Sequence, residues 1–212
     1  AGAHPDDIES CAAGTVSLLV KAGAAVHYLV TTNGDKGCGG MNPCNRTSQE
    51  LAALRAQEQL AAAAVLGLPA ANVSMLDFED GLLNNAAEQA VRARVVAVLR
   101  AVRPAAVFVW SPYLDFAQYQ FGFEHPDHRT TGQIVLDAVY PSARDWLAFP
   151  SLDPATHAPY ATPQVYLYAF SAGGYAGIDT YVDVSAPAVM AAKVAALAAH
   201  RSQYSNASAL AA

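Results

Sequence analysis

Two short runs concentrate the chemistry of this sequence: His4-Pro5-Asp6-Asp7 and His125-Pro126-Asp127-His128. Imidazole and carboxylate are the usual ligands of a hydrolytic zinc ion, which takes three protein ligands and keeps one position for water. His4 and Asp7 stand three residues apart around a proline-rigid turn, so they can face one point. Pro126 suits the first position of a helix, which would put His125 and His128 three apart on one helical face. A single zinc ion held by His4, Asp7 and His128 is the economical arrangement. It leaves Asp6 and His125 to flank the water. Those are the groups amide hydrolysis needs: a carboxylate that takes the water's proton and returns it to the leaving amine, and a cationic imidazole that stabilises the oxyanion. Proline followed by aspartate is also ordinary turn or helix-start chemistry. Two such runs, both at expected strand-to-helix junctions, favour the metal site.

Positioning these groups requires a sheet edge. Residues 10–23 read as a helix closed by Gly23, and 26–32 as a buried strand. Residues 49–66 read as a helix, N-capped by Thr47 or Ser48 and stopped by Gly67, and 73–77 as a strand. A helix over 86–102 ends near Pro104, 106–110 is a buried strand, and 130–139 is helical behind Pro126. Residues 165–170 and 180–184 read as strands, and roughly 187–203 as the last helix. Strands alternate with helices, and the early strands are apolar runs. That pattern predicts a single α/β domain over 1–212, with a mostly parallel sheet covered on both faces. Ligands in such folds sit at the carboxyl ends of strands. His4–Asp7, Gly34-Asp35, Asp77–Asp80 and residues 113–128 would converge there.

The chain's 212 residues suit one domain with a sizeable core. Just over half of them (53%) are apolar and 14% are charged, which excludes a disordered or collagen-like chain. A net charge of −6 without any Lys/Arg run argues against a nucleic-acid groove or an anionic membrane surface. No apolar run is long enough to span a bilayer. Cys38 and Cys44 bracket a Gly/Asn/Pro-rich loop, as a disulfide or as two thiols; Cys11 reads as a small core residue. Asn45, Asn72 and Asn206 open N-x-S/T sequons. With the loop cysteines they lean toward a secreted or luminal glycoprotein.

Through AHPDD at 3–7, TNGDKG at 32–37, RAQE at 55–58, LDFEDG at 76–81, EHPDH at 124–128 and Lys193 with HRSQ at 200–203, the chain resembles the PIG-L/LmbE-like deacetylase family over nearly its whole length. Residues 138–145 look like bacterial-type members. The resemblance implies a Rossmann-like fold, zinc, and hydrolysis of N-acetyl groups from GlcNAc-type sugars. It carries the zinc ligands onto His4, Asp7 and His128, the base onto Asp6, and the oxyanion-stabilising histidine onto His125. It matches a substrate-contacting arginine to Arg55 and a sugar-hydroxyl carboxylate to Asp80. Asp77 competes with Asp80, and Arg55 could instead pair with Glu58 on the helix surface. Family members have a full strand before the first motif. Here Ala1-Gly2-Ala3 precede it, too few for a strand, so the native protein is expected to continue upstream.

Asp35 follows Gly34 at the presumed active edge and reads as a substrate- or histidine-orienting group, or as a turn aspartate. Tyr113, Tyr119, Phe121 and Phe123 would stack on a sugar ring or pack as a lid. His200 reads as a structural histidine on the last helix, His27 as a strand residue, His157 as a loop residue, and Trp110 and Trp146 as core or interface. The expected partner is a small-molecule or glycoconjugate substrate, with oligomeric state open. Two other functions compete: a non-catalytic carbohydrate-binding or structural glycoprotein, and a hydrolase of another amide.

Overall fold

The strand expected near residues 26–32 forms as β1 (Tyr28–Thr32) and is buried at every position. It pairs in parallel with β2 (Val73–Phe78), Tyr28 opposite Val73 and Val30 opposite Met75. A second parallel ladder joins β3 (Ala106–Trp110) to β4 (Gln164–Tyr168), Ala106 opposite Gln164 and Trp110 opposite Tyr168. Short as it is, the segment 1–3 lies between the two ladders. Gly2 bridges Val30 in parallel, and the Thr31 and Thr32 amides donate to the carbonyls of Gly2 and Ala3. The Ala1 amino group donates to the Phe108 carbonyl at 2.6 Å, and the Tyr168 hydroxyl donates to the Ala1 carbonyl. The computed structural model describes residues 1–38, 40–41, 43–85, 88–113, 125–168 and 178–204.

Helices cover both sides of β1, as its alternation requires. Leu29 points into a cluster with Leu76, Val95, Val96, Val109 and Ile134, built by α3 (Glu88–Val102) and α4 (Pro126–Val139). Tyr28 and Val30 point the opposite way. They join Ile8, Val16, Ala63, Leu66 and Ala196 from α1 (Asp7–Lys21), α2 (Ser48–Val65) with its following turn, and α5 (Pro187–Leu197). The result is one α/β layer structure with parallel ladders and helices on both faces. Thr47 caps α2 in a reciprocal box with Glu50, and Cys38 is disulfide-bonded to Cys44 in the loop before it. Cys11 lies half-buried on α1. No helix among the described residues is long and apolar enough to cross a membrane.

Three expectations are corrected. α1 begins at Asp7, not at residue 10, because the HPDD run itself folds onto the helix start. α5 ends at Leu197, not at 203. Beyond it the backbone turns so that His200, Ser202 and Gln203 reach Glu9, Glu58 and the Gly37 carbonyl. Residues 180–184 form no strand and have no ladder partner among the described residues, and Tyr181 is exposed. Strand propensity needs a paired, half-buried surface to act on.

Candidate functional site

The tie between residues 1–3 and β1 makes His4 emerge at the carboxyl edge of the strands. Asp7 then folds the run back on itself. Its Oδ2 accepts the amides of Ala3 and His4, both at 2.8 Å, and its Oδ1 lies 3.1 Å from His128 Nε2. His128 comes from the first turn of α4, which starts with Pro126 at its first position, as expected. Its ring packs on Trp110 at the end of β3, centroids 3.8 Å apart. Gly132, one turn later, permits that approach: a Cβ there would sit 2.3 Å from the Trp110 carbonyl oxygen.

His4 Nδ1 lies 3.2 Å from His128 Nε2 and 3.5 Å from Asp7 Oδ2. A zinc ion bonded at about 2.0–2.1 Å to tetrahedral ligands sets its donor atoms about 3.3 Å apart. The 3.2 Å between the two ring nitrogens matches that edge, and Asp7 approaches His128 through Oδ1 at 3.1 Å and His4 through Oδ2 at 3.5 Å. Two imidazoles and one carboxylate are also a donor set that zinc favours. His4, Asp7 and His128 therefore fit a metal ion. Burial opposes charge on His4, yet the carboxylates of Asp7, Asp127 and Asp80 hold its imidazole well above the ordinary value of 6.5. Burial likewise opposes charge on Asp7, and the His128 and His4 rings hold it well below the usual carboxylate range.

The other nitrogen of His4 faces two carboxylates. Nε2 makes no well-aligned hydrogen bond among the described residues, but lies 3.2 Å from Asp80 Oδ1 and 3.4 Å from Asp127 Oδ2. Asp127 is the one acidic residue of the two runs to which residue type and spacing assign no role. It is fully buried and accepts the amides of Gly81 at 2.7 Å and Leu83 at 3.1 Å. Between the competing aspartates, Asp80 is buried against His4, while Asp77 is exposed. Asp35 Oδ1 accepts the Asp80 amide at 2.9 Å, and its Oδ2 pairs with Lys36.

Asp6 precedes α1 at the N-cap position, but its side chain caps nothing. Its backbone holds φ 113°, a conformation that costs a non-glycine residue about 1–3 kcal/mol. Its Oδ1 lies 3.3 Å from an Arg55 nitrogen. Burial, then the neighbouring Asp7 charge, pushes the Asp6 carboxyl up to about 7 against the pull of Arg55, His200 and His4. Arg55 is buried, not paired with Glu58 on a surface. It donates to the Gly34 carbonyl at 3.1 Å and the Pro5 carbonyl at 2.5 Å, with Asp80 3.9 Å away. Gly34 at φ 66° lies against the guanidinium, where a Cβ would come within 2.6 Å. Glu58 instead accepts the Ser202 amide and hydroxyl, at 2.8 and 2.6 Å.

His125 is the N-cap of α4, just outside the helix, and its Nδ1 accepts the Asp127 amide at 3.3 Å. Its ring meets His4 edge-on at 4.5 Å, and its side chain is 41% exposed, open to a ligand. Burial, then the His4 charge, lowers its pKa, which works against the cationic imidazole expected at this position. Tyr113 is exposed; Tyr119, Phe121, Phe123 and Asn206 lie outside the described residues. Asn45 is exposed, whereas the Asn72 amide donates to the Val26 carbonyl at 3.0 Å. His27 falls just before β1 and is exposed, and His157 sits in a turn beside the Thr156 hydroxyl. Trp110 is core, and Trp146 is 60% exposed.

The missed residues, Asp127, Glu9 and Gln59, share one trait: each is a polar side chain fully buried on a helix. An acidic or amide residue on an otherwise apolar helical face was the only signal the sequence carried for Glu9 and Gln59.

Residues 1–139 match the family model described as GlcNAc-PI de-N-acetylase, PIG-L. The diacetylchitobiose deacetylase of Thermococcus kodakarensis is 34% identical over 136 residues, 64% of this chain but 46% of that protein's length. A probable N-acetyl-alpha-D-glucosaminyl L-malate deacetylase 2 of Bacillus anthracis is 26% identical over 205 residues, covering 96% of this chain and 79% of that one. The structure of N,N'-diacetylchitobiose deacetylase from Pyrococcus horikoshii, complexed with its inhibitor MPG, superposes with a TM-score of 0.78 at 29% identity. That superposition covers 94% of this chain and 67% of the other.

Proposed function

Because this chain belongs to the PIG-L family, we propose that it is a zinc-dependent hydrolase removing an N-acetyl group from a GlcNAc-type sugar or glycoconjugate. The observation that carries the reading is the convergence of His4, Asp7 and His128, which bring one donor atom each to within 4.8 Å of one another. The deacetylases similar to this chain act, by name, on N-acetylated amino sugars, which supports that substrate class. The same reading takes the α/β layers as a Rossmann-like sheet.

A zinc ion held by His4, Asp7 and His128 would polarise the amide carbonyl and acidify the attacking water. Asp6 takes the proton of that water and returns it to the leaving amine. His125 donates its N–H to the oxygen that becomes negative as the carbonyl is attacked. Asp80, buried beside His4 and 3.9 Å from His125, is the carboxylate assigned to sugar hydroxyls. Arg55 and Asp35, both buried and both directed at Asp80, support it from behind.

Metal analysis combined with acetate release from N-acetylglucosamine and N,N'-diacetylchitobiose tests the reading. The expected result is one zinc per chain and acetate release that a chelator abolishes. Zinc binding without acetate from any amino-sugar amide would leave the non-catalytic carbohydrate-binding alternative. Absence of metal binding would overturn the site itself.

A further inference from the structure

The Pro5–Asp6 peptide is gripped on both of its polar edges by one helix. Arg55 donates to the Pro5 carbonyl at 2.5 Å, and Gln59 Oε1 accepts the Asp6 amide at 3.2 Å. These two side chains stand four residues apart on α2 and so share a face. Gln59 is fully buried, and its own amide nitrogen donates to Glu9 Oε1 at 2.9 Å. Glu9, fully buried on α1, has its other oxygen 3.3 Å from Nε2 of His200, which is also fully buried. Three polar groups buried between α1, α2 and the turn after α5 are a costly way to fill a core. Apolar side chains of the same volume would pack there with no partner to satisfy. What the polar chain supplies, and an apolar one could not, is an acceptor aimed at the amide of a residue held at φ 113°.

The geometry points to Gln59 as a positioning residue: anchored by Glu9 and His200, it locks the Pro5–Asp6 peptide plane and thereby sets where the Asp6 carboxylate stands. Side-chain amide orientation is the key variable. The Asp6 backbone N–H can only donate, so it takes the Gln59 oxygen and leaves the Gln59 nitrogen to donate to Glu9. His200 fixes Glu9 in turn through the second oxygen. The consequence for the reaction rests on the deacetylase reading above; the consequence for the backbone does not.

The test therefore has two arms. Residue-resolved amide hydrogen exchange on the unsubstituted chain should show the Asp6 amide protected about 100-fold or more over an exposed loop amide. Exchange at the loop rate overturns the proposal, whether or not any variant folds. Gln59→Met keeps the volume and removes the acceptor. It should lose at least tenfold in Asp6 protection while Val30 in β1 keeps its own. In the activity arm, kcat of Gln59→Met should fall about tenfold or more, with KM and zinc content within twofold. Glu9→Gln still offers both neighbours a partner once His200 takes its other tautomer, so its kcat should stay well above that of Gln59→Met. A folded Gln59→Met protein with unchanged Asp6 exchange, or with kcat no lower than its general loss of stability explains, sinks the positioning role. Should Gln59→Met fail to fold, His200→Asn removes the far anchor and is held to the same two readouts. If the unsubstituted protein releases no acetate, the deacetylase reading fails while the exchange arm still decides the clamp.

Discussion

Asp127 Oδ2 lies 3.4 Å from His4 Nε2, while His4 Nδ1 faces Asp7 and His128. A carboxylate at the far nitrogen keeps the proton there and leaves the near nitrogen free for a metal. Asp127 is itself pinned by two loop amides, from Gly81 and Leu83, so the residue after Asp80 and the histidine ring are set by one carboxylate. Replacing Asp127 with Asn keeps an acceptor but removes the charge. Zinc affinity should drop by about 10–100-fold. Competition against a chromophoric chelator would measure it, and an unchanged affinity would show that Asp80 alone orients the ring.

Asp6→Ala should separate metal binding from turnover. Zinc content should stay at one per chain, because Asp6 contributes no donor to the His4, Asp7 and His128 set. kcat for acetate release should fall by about 10²–10⁴, the usual weight of a positioned base. The same substitution in the metal-free protein is expected to alter stability little. It relieves none of the left-handed backbone, and it leaves Arg55 its two carbonyl partners. An Asp6→Ala protein that turns over normally would remove Asp6 from the mechanism.

Acidity should compete with the metal. In the metal-free chain the His4 pKa is raised above 6.5. Such a group contributes stability that is complete below about pH 6.5 and is lost as pH rises through the folded value. A metal needs the neutral ring, so zinc must expel the proton that the carboxylates hold. Zinc uptake should therefore release protons, and apparent affinity should climb with pH until His4 titrates. Isothermal titration in buffers of different ionisation enthalpy would count the protons. An affinity independent of pH across about 6 to 8, the range where imidazoles titrate, would contradict the arrangement.

Gly132→Ala places a methyl group 2.3 Å from the Trp110 carbonyl oxygen. Backbone cannot retreat there as a flexible side chain would, so α4 must shift outward. The cost should be about 1–3 kcal/mol of stability, read from urea denaturation. His128 sits one turn before Gly132 and moves with the helix, so zinc affinity should fall as well. A variant that loses stability but binds zinc normally would show that the first turn of α4 is held independently by Asp127.

Much of the architecture was legible along the chain. β3 was read with its observed bounds, and β1 and β2 to within two residues, because apolar β-branched runs between turn residues have few other uses. The start of α2 was legible as a cap at Thr47 or Ser48; the structure selects Thr47, closed reciprocally by Glu50. The strand expected at 180–184 failed because its alternation says that a face exists without saying what covers it. The early end of α5 was hidden for a related reason: His200, Ser202 and Gln203 leave the helix to meet α1, α2 and the 34–37 loop, all far away in sequence.

The donor set was likewise local. Two His-Pro-Asp runs, by residue type and spacing, singled out His4, Asp7 and His128 as candidate ligands, and the fold brings these three together. Tertiary structure decided everything that depends on a partner: that Asp80 and not Asp77 meets His4, that Arg55 is buried under the Gly34 loop, and that Asp127 stands behind the histidine ring. It also decided that Asp6 is held from α2. The physical reason is that spacing reports only the face a side chain presents. Its partner is chosen when segments more than a hundred residues apart, such as His4 and His128, are packed against one sheet edge.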